Sequence, residues 1–374
     1  LLVQLKRGAK VARFLKDYRV RVLQQSGSSG ALRVAATQNA TSTLARMQRD
    51  ARVVTAEFNF VGAVAEDDVQ WTTAFDGGGG EAVYATQEAI GQVNFNRAGT
   101  LGDGSGVIVA VLDTGISLRH PALAGKVLPG WNFLDNNGNT DDAPAGVDTD
   151  GNGTLDEAAG HGTMVAGLVS RFAPGARLLP VKVMNSDGQG TLWAAAQGIE
   201  YAVSRGARII NLSLGTSVNS GILARALQDA YAKGVLIVTT AGNGNTDRSQ
   251  FPAHFSFTLS VTSLSADNTK APFANWGSDV DLCAPGVDVV STFWDGKYAA
   301  WSGTSFSAAM VSGEAALVLS RRPELRVDRL ARLLIDTSKS VDDVNPEFRG
   351  KLGSSSHGLI DFDAAMTAAA RGSR

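Results

Sequence analysis

The sequence predicts an α/β protein, a mainly parallel sheet with helices on both faces, preceded by a small α+β unit. Three observations predict it. Beyond about residue 91, short segments rich in branched apolar residues alternate with helical stretches, and such alternation implies a parallel sheet covered on both sides. Residues 1–60 carry a different rhythm, in which strands flank two short amphipathic helices. Between the two lies a stretch, 61 to about 90, without periodicity.

In the first unit Leu1–Leu5 reads as a strand, and Val11, Phe14, Leu15 and Tyr18 fall on one helix face at i, i+3, i+4 and i+7. Val20–Leu23 and Leu32–Ala35 read as strands joined by the flexible turn Ser26-Gly27-Ser28-Ser29-Gly30. Leu44, Met47 and Ala51 mark a second helix and Val53–Phe58 a last strand. The order β-α-β-β-α-β is that of the ferredoxin-like fold. Gly77-Gly78-Gly79-Gly80 marks a flexible, exposed connection, where proteases cut. In the large domain Val107–Leu112, Leu178–Val183, Arg208–Leu214 and Val235–Thr240 read as strands, with helices near 191–205 and 219–233. Active residues of such sheets lie beyond the C-terminal strand ends, where Asp113, Ser213 and Asn243 stand. The expected units are 1–62, a connection over 63–90, and 91–374.

Composition narrows the function classes. Of 374 residues 44% are hydrophobic and 19% charged, as in an ordinary soluble globular protein. No apolar run approaches the ~18 to 20 residues that span a bilayer, and a net charge of −2 argues against nucleic-acid binding. The charge is unevenly spread: residues 1–60 hold 11 Lys and Arg against 3 Asp and Glu, and the remainder 23 against 33. Opposite single-sign patches orient partners, so the small unit is expected to dock on an acidic face. Cys283, the sole cysteine, reads as a small buried apolar residue. The chain opens at Leu1 without a start Met or a basic-then-apolar leader. The expectation is an export signal removed upstream, and a secreted or extracytoplasmic monomer.

Three segments carry chemistry. Val109-Ala110-Val111-Leu112-Asp113-Thr114-Gly115 places a carboxylate where a buried strand ends. Gly160-His161-Gly162-Thr163 places a histidine at the start of a small-residue helix, and Ser302-Gly303-Thr304-Ser305 a serine at the start of another. A serine hydroxyl becomes a nucleophile when a base takes its proton, and the base needs a carboxylate to fix its tautomer and stabilise its cation. Asp113, His161 and Ser305 supply these roles. Thr240-Ala241-Gly242-Asn243-Gly244-Asn245 adds a side-chain amide, which with the Ser305 backbone N–H would make an oxyanion hole. The remaining histidines, His120, His254 and His357, read as structural or surface residues.

From about 91 to 370 the chain resembles the subtilisin-like serine peptidases. Asp-Thr-Gly, His-Gly-Thr and Gly-Thr-Ser match that family's three catalytic motifs in its order, and Ala241-Gly242-Asn243 matches its oxyanion motif. Four short motifs in one order are specific where any one is weak. The resemblance implies a serine endopeptidase acting on proteins or peptides through an acyl-enzyme. It implies that Ser213, Leu214 and Gly215 pair with extended substrate, and that Gln250 lies on the floor of the primary specificity pocket. Residues 1–62 are similar to the family's inhibitory, folding-assistant prodomain, which implies an autoinhibited precursor with a processing site in the connection. Two departures stand beside the motifs: Ala309-Met310 replaces the usual Pro-His, and Met164 the usual His. A contact between the two methionines is expected, an apolar pair in place of a polar one.

Asp148, Asp150, Asn152, Thr154 and Asp156 follow EF-hand positions 1, 3, 5, 7 and 9, with Gly153 at the turn. Position 12 is Ala159 rather than Glu, so the loop is incomplete; Glu157, Asp135, Asp141 and Asp142 are alternative ligands. A structural calcium ion is expected. Two competing classes remain. A silent binding protein of the same fold would be expected to lose one of the four catalytic-type residues. An α/β-hydrolase esterase would run Ser, acid, His with Gly-x-Ser-x-Gly, whereas here the order is reversed and Ser307 holds the fifth position.

Overall fold

The computed structural model describes residues 1–64, 75–76, 80–354 and 357–371. Its centre is a seven-stranded sheet in the order Leu282–Pro285, Leu259–Leu264, Leu236–Thr240, Ile209–Leu212, Ile108–Asp113, Arg177–Lys182 and Trp131–Asn132, with every neighbouring pair parallel. Strand Ile108–Asp113 alternates between two cores, as the two-residue period of a strand requires. Val109 and Val111 face one cluster with helices His161–Phe172 and Thr304–Arg321. Ala110 and Leu112 face the other, with helices Leu192–Ser204 and Gly221–Ala232. Both faces are covered, so the strand reads as an unbroken apolar run.

From Ile108–Asp113 the chain first builds outward on one side, to Arg177–Lys182, and then returns to build Ile209–Leu212 on the other. Asp113 therefore ends the strand at which the winding direction reverses, where α/β sheets form clefts. Two helices carry hydroxyl caps: Thr191 accepts from Ala194 N at 3.2 Å and Ser220 from Leu223 N at 3.1 Å, each satisfying an otherwise open N–H.

The small unit has the expected elements: Leu2–Leu5, Val11–Tyr18, Val20–Gln25, Leu32–Ala36, Ala40–Met47 and Val53–Glu57. Its antiparallel sheet carries Leu2–Leu5 between Leu32–Ala36 and Val53–Glu57. One core holds Val3, Phe14, Tyr18, Leu32 and Met47. Leu2 and Ala31 instead join the cluster of helices Leu192–Ser204 and Gly221–Ala232, so the unit docks on those helices.

The docking chemistry differs from the charge split. The guanidinium of Arg52 stays within the small unit, on Asp17 and Asp50. Across the junction Glu57 meets the N-terminus of helix Gly221–Ala232, accepting from Ser220 Oγ at 2.5 Å, Gly221 N at 2.9 Å and Ile222 N at 3.4 Å. Ser26 Oγ donates to Glu200 at 2.6 Å. An acid from the basic unit thus sits on a helix dipole, a local match that the summed charges do not reveal.

The connection expected over 63–90 is regular at both ends. Val61–Val64 is a strand, and Gly80–Thr86 and Glu88–Gln92 are helices. These segments were missed because each is too short to show a period. Gly77, Gly78 and Gly79 lie outside the described residues.

Candidate active site

The Asp113 turn and the His161 helix are brought together by glycine. A Cβ on Gly162 would lie 2.2 Å from the Gly115 carbonyl oxygen and 3.0 Å from Asp113 Cβ, so only glycine permits this approach. His161 Nδ1 and Asp113 Oδ1 are 2.7 Å apart, and both side chains are fully buried. The same carboxylate oxygen accepts from Thr114 N at 2.8 Å, while Thr114 Oγ1 accepts from Gly162 N at 2.9 Å. A carboxylate on Nδ1 makes that nitrogen the donor and leaves Nε2 as the ring's basic position. The ring is held by Trp301 edge-on and by Phe306, each with centroids 5.5 Å away.

Asp142, considered above as a calcium ligand, has another place. It accepts from Gly160 N at 3.1 Å, Thr163 N at 2.9 Å and Thr163 Oγ1 at 2.7 Å. It therefore anchors the first turn that presents His161. Burial pushes its carboxyl up, against the pull of Lys182 and these hydrogen bonds.

Ser305 lies in the first turn of helix Thr304–Arg321, which packs against the His161 helix. Asn243 follows strand Leu236–Thr240. Its Oδ1 accepts from Thr304 N at 3.0 Å and Thr304 Oγ1 at 2.7 Å. Its Nδ2 is buried without a hydrogen-bond partner. Buried donors are rarely left open, and this one is fixed beside the Ser305 helix. The loop is itself clamped, for Asn275 Nδ2 donates to Ala241 O at 3.0 Å.

The strand Val61–Val64 lies between Gln189–Thr191 and Leu214–Gly215 and runs antiparallel to both. Val64 N also donates to Gly188 O at 2.9 Å. Leu214 and Gly215 thus pair with an extended chain, here the protein's own. The Ser213 hydroxyl points elsewhere, accepting from Asn211 Nδ2 at 3.0 Å within the core. Gln250 lies between Gly215 and Gly242, where a Cβ on Gly215 would come within 1.9 Å of Gln250 Oε1.

The acidic loop departs from the expected ligand set. Among the described His, Cys, Asp and Glu residues, one group converges: Asp148, Asp150 and Asp187, with carboxylate oxygens within 4.8 Å of one another. Asp156 does not join them. Its carboxylate accepts from Ala145 N at 3.0 Å, Gly146 N at 2.7 Å, Val147 N at 3.2 Å and Ser186 Oγ at 2.6 Å. Burial works to raise its carboxyl, but these bonds hold it below the usual range. Asn152 Oδ1 accepts from Thr154 N at 2.7 Å, and its Nδ2 donates to Asp150 and Glu157. Asp187 was missed because it lies more than thirty residues downstream, outside any local motif.

The other readings resolve simply. His120 is buried against the Lys297 carbonyl, His254 pairs with Asp279, and His357 Nδ1 meets the Ser338 carbonyl. Cys283 is buried, which pushes its thiol well up and keeps it unreactive. Met164 and Met310 are both fully buried in the cluster shared by their helices.

A buried carboxylate–imidazole pair, a serine at a helix start and an open amide donor are the parts of an acyl-transfer site. The sequence profile described as the subtilase family matches residues 104–354. Thermitase of Thermoactinomyces vulgaris is 37% identical over 235 residues, 60% of this chain and 79% of thermitase. Subtilisin DY of Bacillus licheniformis is 34% identical over 275 residues, 70% of this chain and 91% of that protein. The crystal structure of fervidolysin from Fervidobacterium pennivorans, described as a keratinolytic enzyme related to subtilisin, superposes with a TM-score of 0.80 at 21% identity. That likeness, of fold alone, covers 98% of this chain and 60% of fervidolysin. The chain belongs to the subtilase family and is a serine endopeptidase.

Proposed function

We propose that Ser305 is the nucleophile of this endopeptidase, His161 its base, Asp113 the orienting carboxylate, and Asn243 with the Ser305 N–H the oxyanion hole. Ser305 Oγ attacks the scissile carbonyl carbon while His161 Nε2 takes the hydroxyl proton. The carbonyl oxygen becomes an oxyanion, received by Asn243 Nδ2. Collapse expels the amine, which takes the proton from His161, and water repeats the sequence on the acyl-enzyme. Asp113 holds the imidazole through Nδ1 and stabilises its cation. The observation that carries this reading is the open Asn243 Nδ2, held by Thr304 at the start of the Ser305 helix. A serine-directed phosphonate applied to the processed enzyme, with peptide mapping, tests it: label on Ser305 is expected, and label elsewhere would refute the assignment.

Residues 1–62 act as an inhibitory prodomain in this reading, with 91–374 the catalytic domain and the processing site within 63–90. Val61–Val64 occupies the strand position that substrate would take, which supports an autoinhibited precursor. Protein or peptide substrates would pair with Leu214 and Gly215, Gln250 lying beside them. The enzyme is proposed to be a secreted monomer. Calcium fits the acidic loop. Asp148, Asp150 and Asp187 offer only carboxylate oxygen, the donor of hard cations, and Asp187 Oδ1 is buried without a partner. The ion would supply charge neutralisation and loop closure, with no part in bond breaking.

A further inference from the structure

The third carboxylate of the acidic group is not in the loop. Asp187 belongs to the turn that leads into the edge strand Gln189–Thr191, and that edge pairs with Val61–Val64. Its side chain is fully buried. One oxygen, Oδ2, accepts from Thr149 N at 2.5 Å and Asp150 N at 3.4 Å; the other, Oδ1, has no hydrogen-bond partner. The next residue, Gly188, accepts from Val64 N at 2.9 Å. Two more bonds bind the same turn to the loop: Asn185 Nδ2 to Thr149 Oγ1 at 2.6 Å, and Ser186 Oγ to Asp156 Oδ1 at 2.6 Å.

We infer that a calcium ion shared by Asp148, Asp150 and Asp187 couples cation binding to occupancy of the substrate cleft. The ion ties the exposed loop to the turn that sets the position of Gly188 and Gln189. Left without it, three carboxylates repel one another across that turn, and the edge strand loses its fixed register. With the ion in place the turn is held, and an extended peptide finds the Gly188 carbonyl already aimed. Coupling between two sites is reciprocal, so a peptide in the cleft raises calcium affinity by the same factor that calcium raises peptide affinity. The inference rests on the proposed reading of the cleft as the place of extended peptide. It adds a regulatory role to a site that otherwise only stabilises.

The test uses the full chain carrying Ser305→Ala, so that the strand stays covalently in place, with and without Asp187→Asn. Calcium chloride is titrated calorimetrically, and amide exchange is followed by mass spectrometry over 61–64 and 188–191 in calcium and in chelator. The expected result is at least tenfold weaker calcium binding in Asp187→Asn. Chelation should speed exchange of both segments at least tenfold in the parent and leave the Asp187→Asn protein unchanged. Wild-type calcium affinity in Asp187→Asn would remove Asp187 as a ligand. Calcium binding that depends on Asp187 but leaves exchange unaltered would overturn the coupling. No calcium binding by the parent would remove the site itself. None of these outcomes touches the peptidase reading, which phosphonate labelling of Ser305 tests separately. Should Asp187→Asn fail to fold, Asp148→Asn gives the same comparison from the exposed side.

Discussion

The catalytic cleft and the helix behind it both hold buried polar atoms without partners, and the two differ in what faces them. In the cleft, Asn243 Nδ2 is open but pinned, its carbonyl locked by Thr304. Nine residues along the same helix from Ser305, Glu314 is fully buried with both carboxylate oxygens unpartnered. In the proposed mechanism the first atom receives the negative charge of the oxyanion; the second is enclosed by protein, and burial pushes its carboxyl up. An open donor beside the proposed nucleophile is a candidate working part, whereas an open carboxylate in a core is a titratable weakness. The same kind of orphan therefore predicts turnover in one place and pH-dependent stability in the other.

The largest effect expected is at the cleft. Asn243→Ala should lower kcat by roughly 10²–10³, the loss that follows removal of the oxyanion-hole amide in subtilisin, with KM little changed, because the amide acts on the transition state. Melting should fall as well, because the buried Thr304 N–H and hydroxyl lose their acceptor, so kcat is compared at a temperature where both proteins are folded. A change in KM alone, measured with a peptide substrate, would move Asn243 out of the oxyanion role.

Glu314 gives the sharper half of the comparison. Its carboxyl is raised well above the ordinary value, first by burial and then by Asp361. Below the ordinary glutamate pKa both folded and unfolded chains hold the proton. Above it the unfolded chain loses its proton while the native helix keeps it, so stability falls as pH rises, by up to about 1.4 kcal/mol per pH unit. Glu314→Gln, which carries no proton to lose, should flatten that decline. Parallel melting curves for parent and variant from pH 5 to 9, in the Ser305→Ala background, would contradict the assignment.

The four catalytic-type residues were legible because each sits in a short motif whose spacing one strand end or helix start enforces. Asp113 needs only the end of its strand, and His161 only Gly162 to approach it. The small unit was legible for a similar reason, since its strands and helices each show their own period. What stayed hidden depends on contacts between distant segments. Val61–Val64 becomes a strand only because Gln189–Thr191 and Leu214–Gly215 flank it. Asp187 joins Asp148 and Asp150 across a gap that no local pattern spans. The loop's EF-hand spacing misled at Asp156, which spends its oxygens on loop closure. Net charge is silent on the local contact at the docking face, where Glu57 accepts from the N-terminus of helix Gly221–Ala232.

The smallest effect expected is at that docking face. Glu57→Ala removes a capping carboxylate and should lower the stability of the precursor by about 1 kcal/mol, read from denaturant midpoints in the Ser305→Ala background. Raising salt should move the midpoint less than the substitution does, since the contact is partly buried and poorly screened. A larger response to salt than to Glu57→Ala would restore the long-range electrostatic account of docking.

The central claim is that Ser305 cleaves peptide bonds and that the chain's own strand is held in its cleft. Mass spectrometry of the full-length protein over time tests it directly, comparing the parent with Ser305→Ala. The parent should be cut within residues 63–90, and Ser305→Ala should remain a single intact chain, folded as the parent is. Cleavage of purified Ser305→Ala at the same position and rate would contradict it.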